Sequence, residues 1–513
     1  MTMMHDFDSN VLGFTNQILS DYLSGDTALE QFYNHAPNID GIEQTIIEKQ
    51  KENLDRNTLV KVLLEQLSTF ENKGIDLEKS KANILKLSNN NSFTITTGQQ
   101  LHLYLGPGYF GNKIFSCIKL CNYVSQNLPG YVIVPVFWLA SEDHDTQEIS
   151  HVELFGETYS ASLPENEVTG RINTKHVKLL TETLSERLGV EADNFDFFQI
   201  CKSAYETFDN LADATAGIIY ELFGKYGIVV INADNEDLKK AFNPIAKNEI
   251  ENLTSSVIQE EVRITFDAHH WHYQLMPRGN NLFVINDDNT RQVEHATAYA
   301  KDKTYSPNAL LRPLYQELIL PNIAYVGGKA EVNYWLQLKP IFDFYKVAYP
   351  VVWLRESICL TNEKQWNKFL QTGQSARYFS QLTEQEIERQ FLKDNYDTDF
   401  IGNIEKIKVQ LKQIAAKNEN KAWETIQEEY ELWLASVKVA YRTVKSDLLK
   451  QKHYTDFSKQ YMAIKALYFA SESMQERQTS LLTLAKNYDY LSKMDNFLSS
   501  HQQRHGTYCI LVN

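Results

Sequence analysis

The chain reads as an α/β protein built on a parallel sheet, followed by a long α-helical region. Three observations predict this. A strand–helix–strand pattern runs from Phe93 to Ala140, one of its strands is apolar on both faces, and no proline occurs after Pro350, where helical periodicity takes over. The composition, 43% hydrophobic and 23% charged, is that of a globular chain and argues against disorder or a fibrous repeat. A length of 513 residues exceeds one compact core and points to two or three domains.

Residues 1–92 read as a helical region packed on the core. Leu59, Leu63 and Leu67 recur at helical spacing between charges. Asn-rich 88–92 breaks that pattern. Phe93–Thr97 then reads as a strand, Leu101–Gly111 as a Gly/Pro loop, Lys113–Gln126 as a helix and Tyr131–Ala140 as a second strand. A strand apolar on both faces suits a parallel sheet covered by helices, and strand–helix–strand is one βαβ unit. A Rossmann-like core over 93–370 follows. Further strands are predicted at Gly227–Ala233, Leu282–Asn286, Leu318–Val326 and Tyr349–Leu354, and the long intervals 155–215 and 250–310 read as insertions.

Over 371–500 the spacing predicts an antiparallel helical coiled coil. Trp423, Ile426, Tyr430, Trp433, Val437, Ala440 and Val444 alternate by three and four, and Ile404, Ile407, Leu411 and Ile414 repeat the spacing. Residues 501–513 return to strand-like composition at Thr507–Val512 and are expected to dock back on the core.

Several classes are disfavoured. A formal charge of −16 repels nucleic acid. Five scattered cysteines with no C-x-x-C pair support neither a disulfide framework nor a Cys-rich zinc site. Met1–Asn10 carries Asp6 and Asp8 and lacks the apolar run of a signal peptide. The most apolar stretch, Tyr131–Ala140, falls well short of the roughly 20 residues needed to span a bilayer. A cytoplasmic protein without membrane attachment is expected.

In an open parallel sheet, ligands bind beyond the carboxyl ends of the strands. Four predicted strand ends finish in polar or Gly-rich residues: Thr97-Gly98-Gln99-Gln100 with Gly106-Pro107-Gly108-Tyr109, Ser141-Glu142-Asp143-His144-Asp145, Asn232 with Asp234, and Gly327-Gly328-Lys329. The loop 105–113 has three glycines before a helix, an arrangement suited to an anion, and Lys113 could add a charged contact. Without an anion it is a tight turn, and it matches neither the G-x-G-x-x-G nor the P-loop pattern, so NAD is disfavoured. The Glu142–Asp145 cluster suits acid/base chemistry or a divalent ion, although Asp145 could instead cap a helix starting at Thr146. His151 reads as packing or capping. His269, His270 and His272 read as insertion surface, because neighbours on a strand face opposite ways. Cys117 and Cys121, in line with Ile114 and Ile118, read as core. Arg312 and Arg355 are open between binding an anion and pairing within the fold.

Four segments, TTGQQLHLYLGPGYFGNKI (96–114), VPVFWLASEDHDTQEISHV (134–152), LLRPLYQELILPNIAYVGGKAEVNYW (310–335) and MQER (474–477), resemble the bacillithiol-synthesis cysteine-adding enzymes, the BshC family. The resemblance implies a Rossmann-like nucleotidyltransferase-type core, a coiled coil pairing two subunits into a homodimer, and amide formation between L-cysteine and glucosaminyl-malate. It also implies an ATP or ADP site, with magnesium allowed beside it, although the HIGH and KMSKS signatures of class I synthetases are absent. By position it carries Thr97, Gly98, Gln99, Gln100, Gly106, Pro107, Tyr109, Lys113, Glu142, Asp143, His144, Asp145, Glu148, His151, Arg312, Pro313, Gly327, Gly328 and Glu331. Gly111 and Asn112 depart from the family pattern.

The expected roles are catalytic for Glu142, Asp143, His144 and Lys113, and binding for the loop and strand-end residues, Asp234 among them. ATP would turn the cysteine carboxylate into an acyl-adenylate or acyl-phosphate, and His144 or a carboxylate would take the amine proton. The alternatives are a nucleotidyltransferase or ligase acting on another small amine, and a non-catalytic coiled-coil scaffold.

Overall fold

In the computed structural model, residues 3–276, 279–396, 423–450, 452–469, 474–499 and 505–512 are described, together with 406–407, 409–410 and 412–413. The strands in chain order are β1 (Met3–Asp8), β2 (Ser92–Gln99), β3 (Val132–Leu139), β4 (His151–Leu154), β5 (Glu157–Ser160), β6 (Val229–Asn232), β7 (Leu282–Ile285), β8 (Arg291–Val293), β9 (Thr304–Pro307), β10 (Asn322–Gly327), β11 (Val351–Leu354), β12 (Ser357–Thr361) and β13 (Thr507–Val512).

Five of them form the core sheet, in the order β11-β10-β2-β3-β6, all parallel. From β2 the chain adds β3 and β6 on one side, then returns to add β10 and β11 on the other. The direction of winding therefore reverses between β2 and β10, the place where open α/β sheets bind ligands. Seven of the eight residues in each of β2 and β3 are buried, so both faces are covered. The helix Tyr109–Asn127 packs on β2 and β3. Its Ile114, Cys117, Ile118 and Cys121 are buried as the stripe predicted, and the Cys117 thiol donates to the Ile95 carbonyl. All five cysteines are buried thiols.

Three boundaries differ from expectation. The helix starts at Tyr109, not Lys113, which places Gly111 and Asn112 inside its first turn. The predicted strand 318–326 is split. A helix, Arg312–Ile319, takes its first two residues, and β10 starts only at Asn322. Pro321 cannot continue a helix and forces Leu320 before it into an extended conformation. The N-terminal region also contains β1, which its polar His5-Asp6-Phe7-Asp8 sequence did not announce.

β1 pairs with β13, and β13 also pairs with β12, so the last strand is the middle one of a three-stranded sheet. Only Arg355 and Glu356 separate β11 of the core sheet from β12 of this one. The corner between the two sheets therefore carries two charged residues.

The first insertion holds the β4–β5 hairpin and the helices Lys178–Leu188 and Asp196–Thr207, running into Leu211–Phe223. The second holds the helices Asn243–Asn252 and Thr254–Ala268 and an antiparallel sheet, β8-β7-β9. The strand predicted at 282–286 therefore belongs to the insertion, not to the core sheet. His269, His270 and His272 are exposed, with the His269 ring stacked 4.4 Å from Trp271.

The chain falls into two compact units, one of residues 1–366 with 475–513 and the other of residues 367–474. The second unit contains the helices Glu384–Tyr396, Trp423–Leu449 and Lys452–Ile464. Phe379 stacks on Tyr461 at 4.6 Å within it. On its longest helix Tyr430 and Leu434 are buried with Val437 against them, whereas Trp433 and Val444, both expected in the seam, are 47% and 57% exposed. The covered stripe thus takes Leu434 in place of Trp433, and a coiled coil is not evident among the described residues. The expected seam positions Ile404, Leu411 and Ile414 lie outside the described residues. Among the described residues no helix is long and apolar enough to cross a membrane.

Candidate functional site

A cavity of about 820 Å³ lies at the carboxyl ends of the core strands, across the β2/β10 reversal. Gly98, Gln99, Gln100, Tyr109, Lys113, Glu142, Asp143, His144, Arg312 and Gly328 all reach its wall. Thr97, Gly106, Pro107, Asp145, Asp234 and Gly327 do not, and each has a structural role. Thr97 Oγ1 donates to the Val326 carbonyl, tying β2 to β10. Gly106 N donates to the Leu103 carbonyl while its own carbonyl accepts from Leu481 N, Pro107 bridges Ser480, and Gly108 N donates to the Thr479 carbonyl. The amides of Gly106 and Gly108 are thus engaged within the protein and do not form an anion cradle. Asp145 accepts from Glu148 N and caps the short helix Thr146–Ile149.

Lys113 is buried and its three N–H bonds are all taken. Its ammonium lies 3.1 Å from the Gly98 carbonyl, 2.6 Å from Gln99 Oε1 and 2.5 Å from Glu331 Oε2. Burial alone would raise the Glu331 pKa. Lys113, the Tyr325 hydroxyl and the Gly328 amide together hold it below the usual carboxylate range. Lys113 therefore supplies charge to the wall without a spare donor.

Spare donors sit instead on two arginines. Arg355, 4% exposed, spends Nη1 and Nη2 on a bidentate pair with Glu476, both at 2.8 Å. Its Nε is buried with no hydrogen-bond partner. Arg312 donates Nη1 to Gln316 and lies near the rings of Trp138 and Tyr325, while its Nη2 is buried and likewise unpartnered. Both residues line the cavity, as does Arg477. Buried N–H groups left unmatched are costly, and a carboxylate or phosphate in the cavity would match them.

Another part of the lining is acidic. Gln100 Nε2 donates to Asp143 Oδ2 at 2.9 Å and to Glu148 Oε2 at 2.5 Å, drawing the two carboxylates together. Burial, then the charges of Asp143 and Asp145, push the Glu148 pKa up. Beside this pair, His144 Nδ1 lies 3.1 Å from Arg291 Nη1. A guanidinium only donates, so Nδ1 accepts and the imidazole proton sits on Nε2. Asp143 Oδ1 lies 3.8 Å from the same nitrogen.

Glu142 is also committed. It pairs with Lys239 and accepts from Ser306 Oγ at 3.0 Å, and Ser306 in turn accepts from Arg291 Nε. Lys239 bridges to Asp234, which Arg171 clasps at 2.8 and 3.0 Å. Burial would raise the Asp234 pKa, but Lys239 and Arg171 hold it down. This network clamps β9 of the second insertion to the ends of β3 and β6. Glu142 and Asp234 shape the site without facing it freely.

Arg291 and Lys239 escaped the sequence reading, and Glu476 was given no role there although it lies in the MQER segment. Arg291 and Lys239 lie in unremarkable polar stretches, and Glu476 meets Arg355 from 121 residues away. The departures at Gly111 and Asn112 are explained by the same region. A Cβ at Gly111 would lie 2.4 Å from the Tyr490 hydroxyl. That hydroxyl donates to Asn112 Oδ1, and Asn112 Nδ2 donates to Glu476. Among the described residues no group of three or more His, Cys, Asp or Glu is placed to hold a metal ion.

Comparison with known proteins bears on this arrangement. The family profile "Bacillithiol biosynthesis BshC, N-terminal Rossmann-like domain" matches residues 6–356. A Flavobacterium psychrophilum protein is 36% identical over 378 residues, covering 69% of this chain and 70% of that protein. One from Cytophaga hutchinsonii is 33% identical over 360 residues, covering 66% of each chain. One from Staphylococcus aureus is 28% identical over 362 residues, covering 63% of this chain and 66% of its own. Each bears the provisional name of a cysteine ligase, BshC.

Proposed function

This chain belongs to the BshC family of bacillithiol biosynthesis, and on that premise we propose that it joins the carboxyl group of L-cysteine to the amine of glucosaminyl-malate. The observation that carries the reading is the pair of unpartnered guanidinium nitrogens, Arg312 Nη2 and Arg355 Nε, in a cavity that the acidic Asp143–Glu148 pair also lines. Both substrates bring carboxylates and an amine, so a cavity with one cationic and one acidic wall suits them.

An amide forms only when a carboxyl oxygen leaves. ATP, when bound, supplies that activation, and the cationic wall of Lys113, Arg312, Arg355 and Arg477 is the part of the cavity that fits its phosphates. The chain's own groups do the rest. Arg312 and Arg355 hold and orient negative oxygens. The attacking nitrogen forms the C–N bond and gives its proton to the Glu148 carboxylate. The raised pKa of Glu148 makes it a better acceptor than an ordinary carboxylate. His144, through Nε2–H, donates towards developing oxygen charge. We extend the proposal to a homodimer formed through the second unit, whose exposed Trp433 and Val444 supply an apolar face.

The test is incubation of the recombinant protein with cysteine, glucosaminyl-malate and ATP, followed by mass spectrometry. Bacillithiol is expected, and none without ATP. Absence of product under conditions where a related enzyme makes it would sink the assignment.

A further inference from the structure

His102 lies 3% exposed behind the cavity and is not among its lining residues. The backbone around it is unusual. Tyr104, Leu105 and Gly106 have φ of 55°, 59° and 57°, three successive residues in the left-handed region. The first two are non-glycine and fully buried, a conformation that persists only where surroundings enforce it. Here the Tyr205 hydroxyl accepts from Tyr104 N, and Tyr104 donates its own hydroxyl to Thr181, both at 2.8 Å. Both partners come from the first insertion. At Gly106 a Cβ would lie 2.6 Å from His102 Cβ, so the hook closes directly on the imidazole.

Hydrogen-bond direction then determines what the imidazole must be. An ammonium only donates, so the Gln99 atom 2.6 Å from Lys113 is Oε1. The other end of that amide, Nε2, therefore faces His102 Nε2 at 3.2 Å, and Gln100 Oε1 at a longer 3.4 Å. An amide nitrogen only donates, so His102 Nε2 must present a lone pair, and the proton rests on Nδ1, a buried atom with no hydrogen-bond partner. Gln100, accepting at Oε1, turns its Nε2 to Asp143 and Glu148. A single direction of donation thus runs from Lys113 through Gln99 and Gln100 to the acidic pair.

We propose that His102 is a positioning residue: as a neutral imidazole it accepts from the Gln99 amide and holds it in the direction that Lys113 sets, and through Gln99 and Gln100 it aligns Lys113 with the Asp143–Glu148 pair. If the amide turned over, an NH2 would face the Lys113 ammonium, and Gln100 would lose its donor. The groups facing His102 are Lys113, His151, Asp143, Glu148 and the Tyr109 ring at 6.4 Å. Burial first, then His151 and Lys113, push its pKa down to about 4, in keeping with a ring that stays neutral. The catalytic part of this inference rests on the ligase reading; the hydrogen-bond direction does not.

Two measurements on the full chain decide it. With histidine labelled at Cε1, the NMR signal of His102, assigned by its loss in His102→Leu, should stay flat from pH 8 to pH 5. In Gln99→Glu a carboxylate replaces the donor beside Nε2, and the signal should then titrate at or above the ordinary midpoint of about 6.5. An ordinary midpoint in the unaltered protein, or no change in Gln99→Glu, overturns the proposal whether or not ligation is detected. In the ligation assay, His102→Leu should lower kcat roughly fivefold or more. It should also move the acid limb of the kcat profile to higher pH, because Glu148 loses part of the Gln100 N–H that holds its pKa down. Unchanged kcat and unchanged profile in a folded His102→Leu overturn the alignment role.

Discussion

A buried guanidinium nitrogen left without a partner, as at Arg312 Nη2 and Arg355 Nε, is held for something outside the protein. Arg312 and Arg355 each meet that description, and each has a measurable consequence. Arg312→Ala should raise KM for the anionic substrates roughly ten- to a hundredfold, the range set by one charge-assisted hydrogen bond, with little effect on thermal stability. An unchanged KM would remove Arg312 from the site. His102 makes a second residue-scale prediction. Its folded pKa, about 4, lies below the unfolded value near 6.5, so the unfolded chain binds the extra proton first. Stability from this group is therefore present above pH 6.5 and is lost as pH falls towards 4. Between pH 7 and pH 5 the loss is about 2 kcal/mol, and urea unfolding of His102→Leu should show a correspondingly flatter pH dependence over that interval.

At the scale of elements, the first turn of the helix Tyr109–Asn127 matters most. Gly111 and Asn112 looked like flaws in an anion-binding loop and are instead the seat of Tyr490 and Glu476. Gly111→Ala drives a methyl into the Tyr490 hydroxyl and should destabilise the protein by about 1–3 kcal/mol. Adding Tyr490→Phe should recover part of that loss, although Tyr490→Phe alone destabilises by removing the bond to Asn112. A double-mutant cycle by chemical denaturation reads the coupling, and simple additivity would contradict the packing. This turn also shows how far the sequence could be read. β2, β3 and their covering helix were legible because their pattern is local: apolar runs of strand length and a stripe at helical spacing. β1 was not, because its polar residues form a strand only through pairing with β13 some 500 residues later, Met3 opposite Val512. The same holds at the site. Gly98, Gln99, Gln100 and Asp143 could be found at strand ends, whereas Arg291 arrives on an insertion strand and Glu476 from a distant helix. His102 lies in the first of the family-like segments, but its role depends on hydrogen-bond direction, which no spacing encodes.

At the scale of the whole molecule, residues from both ends of the chain complete the first unit. All six residues of β13 are buried between β1 and β12. A chain cut after residue 500 should therefore fail to give a cooperative thermal transition for that unit, as followed by circular dichroism. Glu476→Leu leaves the Arg355 guanidinium buried without its counter-charge. It should destabilise by about 3–5 kcal/mol, with ligation lost even at temperatures where the protein remains folded. A second consequence concerns time. Glu476 is made 121 residues after Arg355. At a synthesis rate of roughly 5–20 residues per second, that interval is on the order of ten seconds. Throughout it the nascent chain carries an arginine whose bidentate carboxylate partner has not yet been made. Whatever shelters that charge during translation, solvent or a chaperone, must give it up when Glu476 arrives, so the cavity comes into being near the end of synthesis and not with the sheet that frames it.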